Sequence, residues 1–347
     1  MYNNTTSRFI DKYSLESPVE CYKLKIVGVY CIILFVFSTF FNGALLWAFI
    51  KNKSLRTSIN IFIIALAVFN LFGTLVELPF IILSNLNCKW IFGEFACVFS
   101  AYIMYFIGCT SIYLMAAISF ERFYIIYKPL SIRNVNKKNN LVIIFLCSLN
   151  GLMWATFPLI GWSHYSLEGA MTSCAVEWKE RSTNVSSYNI TIFSVVYLIP
   201  FLLILISNTK LIFIVKSLPN KMKMSQDTQA RKRVASERYL TIILIIIILV
   251  FVVSWTPYAM VSMYSAFIDE EGVSPLAGTL PAVIAKSSML WTALIYVFSN
   301  RNIRSSLVAS LKLKFPNSDL SQSRNKTNQN SLSNQNQPIQ GNESSKL

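Results

Sequence analysis

The chain has 347 residues, of which 54% are hydrophobic and 14% charged, and its formal net charge is +15. This composition is too apolar for a soluble domain of this length, so we predict a membrane protein with several spans. The basic residues form short clusters between apolar runs instead of one patch, which argues against nucleic-acid binding and suits a topology with positively charged inner loops.

Seven apolar runs are each long enough to cross a bilayer core of about 30 Å, which takes roughly 20 helical residues. In lipid such a run satisfies its own backbone hydrogen bonds only as a helix, and the alternating pattern of a membrane barrel is absent. We therefore predict an all-α membrane protein, a seven-transmembrane helix bundle over 26–299. The predicted spans are 26–50, 58–84, 95–120, 141–162, 190–213, 240–266 and 276–299.

The loops fix the orientation of the bundle. Lys and Arg cluster after spans one, three, five and seven, whereas the other loops hold few basic residues and include the acidic run at 269–271. The positive-inside rule then places segment 1–25 outside the cell as an extracellular N-terminal segment. Glycosylation sequons fall on this predicted outer side, at Asn3, Asn4, Asn184 and Asn189.

Two segments of different composition follow span seven. Segment 300–315 begins with alternating basic and apolar residues, which predicts a short amphipathic helix on the membrane surface. Segment 316–347 is rich in Ser, Asn and Gln and has few large apolar residues, so we predict a disordered cytoplasmic tail.

Two ionisable residues stand in the central parts of the spans, Glu77 in span two and Lys286 in span seven. A charge at a helix centre costs about 2.5–3.5 kcal/mol on insertion scales, so such residues usually mark function and usually have a partner. Both lie toward the outer half of their spans, and we expect them to meet. A lysine amine in an apolar pocket is also a nucleophile that condenses with an aldehyde. The alternative is a structural or ligand-facing ion pair, and charge alone does not decide between the two.

Several motifs in order along the chain resemble the rhodopsin-like (family A) G-protein-coupled receptors. Glu121-Arg122-Phe123 at the inner end of span three resembles the family's acidic-Arg-Tyr motif, and Glu237 resembles the acid that locks its arginine. Trp255-Thr256-Pro257-Tyr258 resembles the switch of span six, and Tyr296 the conserved tyrosine near the end of span seven. The resemblance implies that Arg122 holds the inactive state and later contacts a G protein, while Trp255 packs on the ligand.

Two further stretches resemble opsins. The segment 281–288, Pro-Ala-Val-Ile-Ala-Lys-Ser-Ser, resembles the retinal-attachment segment, and 161–165 with Glu168 and Cys174 resembles the loop that covers retinal. The resemblance implies retinal, 11-cis or all-trans, as a Schiff base on Lys286, with Trp255 and Tyr258 at the ligand.

The same resemblance indicates how some of the seven cysteines pair. It implies a disulfide between Cys97 and Cys174, and Cys21 and Cys88 near the outer face form a second candidate pair. With the single His164 the cysteines form no cluster with metal-ligand spacing, so we expect no metal site.

The carboxylate that would neutralise a protonated Schiff base has two candidates. Many vertebrate visual opsins carry a glutamate where this chain has Ser100, so the chain is closer to non-visual and invertebrate-type opsins. Glu168 matches the loop glutamate of those opsins and is the first choice of counterion. Glu77 is the rival, because it lies within a span.

The resemblance predicts a light-sensing opsin, not an enzyme, in the plasma membrane or a photoreceptor membrane. It implies a heterotrimeric G protein as partner, with arrestin and a receptor kinase at the tail, besides the lipid bilayer. The family's Asn-Pro of span seven is replaced by Thr292-Ala293, and two further switch positions hold Asn70 and Asn208. These departures leave two alternatives open: a retinal photoisomerase or weakly signalling opsin, and a receptor for a diffusible ligand that Lys286 contacts as a cation.

Overall fold

A computed structural model describes residue 13 and residues 15–127, 136–223, 228–268 and 273–312. Within these residues, seven helices are long and apolar enough to cross a membrane, which confirms the predicted seven-transmembrane bundle. The chain separates into two units, Met1–Ser306, which holds the spans, and Leu307–Leu347. The predicted tail, 316–347, lies outside the described residues.

The spans are longer than the apolar runs that predicted them. Backbone hydrogen bonding continues past the hydrocarbon core into the polar interface, where a hydropathy pattern no longer detects the helix. Span five consists of α5, a π-helical turn at Phe193–Leu198 and α6, and span seven consists of α8 and α9. The helices are α1 (Cys21–Lys51), α2 (Ser58–Leu86), α3 (Gly93–Tyr127), α4 (Lys137–Thr156), α5 (Thr183–Ile192), α6 (Ile199–Lys223), α7 (Thr228–Phe267), α8 (Pro275–Lys286), α9 (Ser288–Ser299) and α10 (Arg301–Lys312).

Span three occupies the middle of the bundle, where α3 contacts α2, α4, α6 and α7. Its approach to span four depends on Gly151, because a Cβ there would lie 2.9 Å from the Phe106 carbonyl oxygen. Its approach to span six depends on Gly108, where a Cβ would lie 2.9 Å from the Trp255 ring. Gly151 thus brings the backbones of spans three and four close together, as is usual between membrane helices, and Gly108 makes room for the Trp255 ring.

Span seven is interrupted directly after Lys286. The helix α8 ends at this lysine and α9 begins at Ser288. Around the break, the Ser287 N–H donates to the Ile284 carbonyl and the Leu290 N–H to the Ser287 carbonyl, both at 3.0 Å. These bonds connect residues three apart instead of four, so the backbone is more tightly wound at this point.

An antiparallel hairpin closes the outer end of the bundle. Its strands are β1 (Tyr165–Leu167) and β2 (Cys174–Val176), with Tyr165 opposite Val176. A disulfide from Cys174 to Cys97 joins β2 to the start of α3. A second disulfide, Cys21–Cys88, joins the start of α1 to the loop after α2, so both predicted pairs are present.

The predicted surface helix after span seven is present as α10, and residues 313–315 of the predicted 300–315 lie outside the described residues. On its first turn Ile303 is fully buried, whereas Arg301, Asn302 and Arg304 are exposed. This separation of apolar and basic residues on one turn agrees with the predicted amphipathic character.

Candidate functional site

The site is built on a buried ion pair between spans two and seven. The Lys286 Nζ lies 3.4 Å from Glu77 Oε1, and the two side chains are only 8% and 3% exposed. The break after α8 holds the lysine at the wall of a cavity, and α2 brings the glutamate to the same depth. A buried charge is costly unless it is paired, so each of these groups stabilises the other in its ionised form.

A cavity lies beside Lys286. Apolar atoms form most of its wall, and spans three, five, six and seven and the outer hairpin all contribute to it. Its aromatic lining residues are Tyr105, Trp178, Phe193, Tyr197, Trp255 and Tyr258. The lysine amine therefore lies in the wall of a mostly apolar chamber that carries several aromatic side chains.

Trp255 forms the inner end of the chamber wall. Its indole N–H donates to the Ser288 hydroxyl at 3.1 Å, two residues beyond Lys286 in the chain. On its other side the ring packs against Gly108 of span three. A ligand that displaces this ring would therefore act on spans three, six and seven together.

Glu168, on the outer hairpin, also lines the chamber. Its carboxylate accepts a hydrogen bond from the Ser173 hydroxyl at 2.6 Å. The loop that carries it is fastened to span seven, because the Ala170 N–H donates to the Thr279 hydroxyl at 3.1 Å. The structure thus places Glu168 in the chamber wall and pairs Glu77, which does not line the chamber, with the amine.

A second polar cluster lies at the inner ends of spans three, four and six. Arg122 is 4% exposed, and its guanidinium lies 3.4 Å from the Glu237 carboxylate and 3.7 Å from that of Glu121. The other oxygen of Glu121 accepts a hydrogen bond from the Asn140 amide at 2.8 Å. The arginine thus connects span three to span six from a buried position.

A family profile described as "7 transmembrane receptor (rhodopsin family)" matches residues 41–296. The chain belongs to the rhodopsin family of seven-transmembrane receptors. As a member of that family with seven spans, it is a multi-pass protein of the cell membrane.

Opsins are among the rhodopsin-family proteins that this chain resembles. Melanopsin of Podarcis siculus is 33% identical over 276 residues, which cover 77% of this chain and 58% of the relative. Melanopsin-B of Xenopus laevis is 34% identical over 280 residues, covering 78% and 52%. The chain thus spans little more than half the length of these relatives. The crystal structure of squid rhodopsin superposes with a TM-score of 0.79 at 27% identity, covering 90% of this chain and 91% of that one. The chain is thus similar to opsins in sequence and in fold.

The inner part of span seven departs from the usual rhodopsin-family sequence, and the structure shows what replaces it. The Tyr296 hydroxyl donates to the Asn60 side-chain oxygen of span two at 2.5 Å. The Asn42 amide donates to the Met289 carbonyl at 2.9 Å. Bonds to spans one and two therefore fasten the segment in which Thr292-Ala293 replaces Asn-Pro.

Sequence reasoning missed two residues of the outer wall, Trp178 and Glu177. The Trp178 indole N–H donates to the Tyr258 hydroxyl at 3.0 Å. Burial acts to raise the pKa of Glu177, but hydrogen bonds from the Ser166 hydroxyl and the backbone N–H groups of Lys179 and Glu180 outweigh it and hold the pKa below its ordinary value. Both residues follow β2 closely in the chain. The nearby Cys174 is the sequence signal that could have directed attention to them.

The predicted glycosylation sites have different surroundings. Asn184 is exposed at the outer end of span five, and its amide donates to the Gly161 carbonyl at 2.8 Å. Asn189 is fully buried and its amide donates to the Glu177 carbonyl, so the expectation of glycosylation there is wrong. Asn3 and Asn4 lie outside the described residues.

Proposed function

We propose that this receptor senses light through retinal held covalently on Lys286, and that its photoactivated state activates a heterotrimeric G protein. The observation that carries the proposal is a buried lysine amine, paired with a carboxylate, at the wall of an aromatic chamber. When bound, retinal supplies the absorption of light and a change of shape on isomerisation.

The residues present fit such a ligand. A conjugated aldehyde needs a nucleophilic amine, a long apolar chamber and an anion beside the nitrogen. Lys286, the aromatic wall and Glu77 provide these three elements. A receptor for a freely diffusing anion would gain little from Lys286, because Glu77 already neutralises it.

We infer that Glu77 is the direct counterion and that Glu168 has a secondary role. Glu77 lies 3.4 Å from the amine and is 2% exposed, so its charge acts on Lys286 with little screening by water. Glu168 is half-buried and already bonded to Ser173. Its place in the chamber wall still allows it to act on the ligand from the outer side.

Signalling would begin at Trp255. A change of ligand shape against this ring acts on Gly108 and Ser288, and thereby on spans three and seven. At the inner end of the bundle, the contact between Arg122 and Glu237 has to open before a G protein can dock. Light then shifts a population between two helix arrangements, one with this contact and one without it.

Borohydride reduction after loading with retinal tests the proposal. We expect a retinyl adduct on the peptide that contains Lys286, found by mass spectrometry, and no adduct in Lys286→Ala. Lys210→Ala is the matched control, because Lys210 belongs to span five and does not line the chamber. If Lys286→Ala forms the same pigment as the parent protein, the proposal is wrong.

A nucleotide-exchange assay tests the signalling half of the proposal. Light-dependent exchange on any heterotrimeric G protein supports a receptor. If the retinal-loaded protein changes the isomer of its ligand in light but drives no exchange on members of each G-protein class, a photoisomerase replaces the receptor.

A further inference from the structure

A second cavity, which we call the outer vestibule, lies on the outer side of the chamber. It is bounded by the outer hairpin, the outer part of span six and the start of span seven. Its wall carries more polar groups than that of the chamber, among them Glu177, Lys179, Ser265 and Ser274.

The outer vestibule and the chamber share a wall. Glu168, Trp178, Tyr258 and Ser262 line both cavities. The partition between them is therefore one side chain thick, while Lys286 lines the chamber on the far side of it.

One aromatic pair forms the part of the partition in which two side chains contact each other. The Trp178 indole N–H donates to the Tyr258 hydroxyl at 3.0 Å, and the rings meet edge to face with centroids 6.1 Å apart. Trp178 lies two residues beyond β2, so the ladder of the hairpin does not fix it. Tyr258 directly follows Pro257 in α7. A change of either side chain's rotamer would join the two cavities without disrupting a helix or strand.

We propose that the outer vestibule is the route by which aldehydes reach Lys286 from the outer aqueous side, with the Trp178–Tyr258 pair as its gate. The proposal rests on the proposed function for its physiological aldehyde, retinal, but the gate itself concerns only access to the amine. Lateral access between helices from the bilayer is the competing route.

Reductive methylation of the retinal-free protein tests the gate without retinal. Formaldehyde is the probe: the amine attacks its carbonyl carbon, water leaves, and cyanoborohydride reduces the C=N bond. Mass spectrometry then gives the methylation rate at Lys286. We expect Tyr258→Phe, which keeps the ring and loses only the hydroxyl, to raise the rate about fivefold, the effect of one lost hydrogen bond. Trp178→Ala, which removes the larger half of the gate, should raise it about tenfold or more.

Tyr113→Phe is the matched control. Tyr113 lines neither cavity, and its hydroxyl donates to the Val195 carbonyl at 3.1 Å. The Lys286 methylation rate of this variant should equal that of the parent protein. A parental rate in Tyr258→Phe, or an equal rise in Tyr113→Phe, overturns the gate. Because Trp178→Ala removes a large side chain, Tyr258→Phe decides if that variant does not fold.

The two proposals fail separately. A parent protein that forms a retinyl adduct, together with a Tyr258→Phe variant that is methylated at the parental rate, refutes the gate and leaves the photoreceptor function intact. If the gate controls the methylation of Lys286 but the protein forms no retinyl adduct, only the photoreceptor function is refuted.

Discussion

At the scale of single residues, the two candidate counterions differ in what surrounds them. Glu77 has a cation 3.4 Å away and almost no solvent, whereas Glu168 has the Ser173 hydroxyl and partial exposure. A charge in a buried pair interacts more strongly with its partner than an exposed charge at a greater distance. Glu77 should therefore dominate the electrostatics at the amine.

Replacement of each glutamate by glutamine distinguishes the two roles. In Glu77→Gln the buried cation loses its anion, so we expect the retinal-loaded protein to lose its proton at the Schiff base and to absorb in the ultraviolet instead of the visible. Glu168→Gln should leave visible absorption in place with a small shift. Absorption spectra at neutral pH provide the measurement, and a visible pigment in Glu77→Gln with an ultraviolet one in Glu168→Gln would reverse the assignment.

The sequence identifies both candidates but does not rank them by distance. The ranking that favours Glu168 follows from its spacing to Cys174, which is a family pattern. The ranking that favours Glu77 depends on how deep α2 and α8 lie relative to one another, and that depth is set by packing among several spans. Ser100 is a further example of what the sequence leaves open. It shows that the usual anion is missing at this position, but it does not show which group takes the place of that anion.

At the scale of elements, the outer hairpin depends on its polar contacts as much as on its disulfide. Glu177 anchors the strand ends by accepting hydrogen bonds from the Ser166 hydroxyl and from the Lys179 N–H at 2.7 and 2.8 Å. Since the pKa of Glu177 is lowered in the folded protein, its carboxylate stabilises the fold at neutral pH. This contribution is lost as the pH falls through that lowered pKa.

We expect Glu177→Gln to lower the Tm of the ligand-free protein by about 2 °C at pH 7. The difference from the parent should narrow as the pH falls below 4.5, the ordinary pKa of the group, and should close once the pH is below the lowered pKa, where the carboxylate of the folded parent is protonated too. Thermal unfolding between pH 7 and pH 3.5 checks this. A difference that stays constant over the range would show that the charge of Glu177 has no part in it.

The inner end of span seven is fastened by the bond between Tyr296 and Asn60. We expect Tyr296→Phe to raise light-independent nucleotide exchange about fivefold, because one hydrogen bond of the inactive arrangement is lost. Asn60→Ala should have a similar effect, and the double variant should add little to either, which a double-mutant cycle measures. Fully additive effects would mean that the two side chains act independently.

At the scale of the whole molecule, the seven spans, their orientation and the surface helix follow from the sequence, because apolar run length and basic loops report directly on the bilayer. The outer vestibule does not. Its wall joins residues of the hairpin and of spans six and seven, and no periodicity in the chain relates Trp178 to Tyr258. The buried state of Asn189 is hidden for the same reason, since a sequon carries no information about burial.

Span six connects the two ends of the bundle, because it carries Trp255 at the chamber and Glu237 at the inner surface. We expect Glu237→Gln to raise light-independent nucleotide exchange severalfold, because the neutral amide attracts Arg122 less strongly. Its absorption spectrum should not change, as Glu237 does not line the chamber. A spectral shift in this variant would contradict the separation of the two sites.

The tightly wound turn at Ser287 gives span seven a pivot, which an unbroken helix lacks. Proline usually supplies such a weak point in the inner part of this span, and here Ala293 occupies that position. The turn lies one residue from Lys286, so it can serve as a pivot. Torsion applied at Lys286 can turn α9, which carries Tyr296 near its far end. Meanwhile α8 stays bonded to the hairpin through Thr279. The pivot at Ser287 and the residue that receives the torsion, Lys286, are therefore adjacent in the chain.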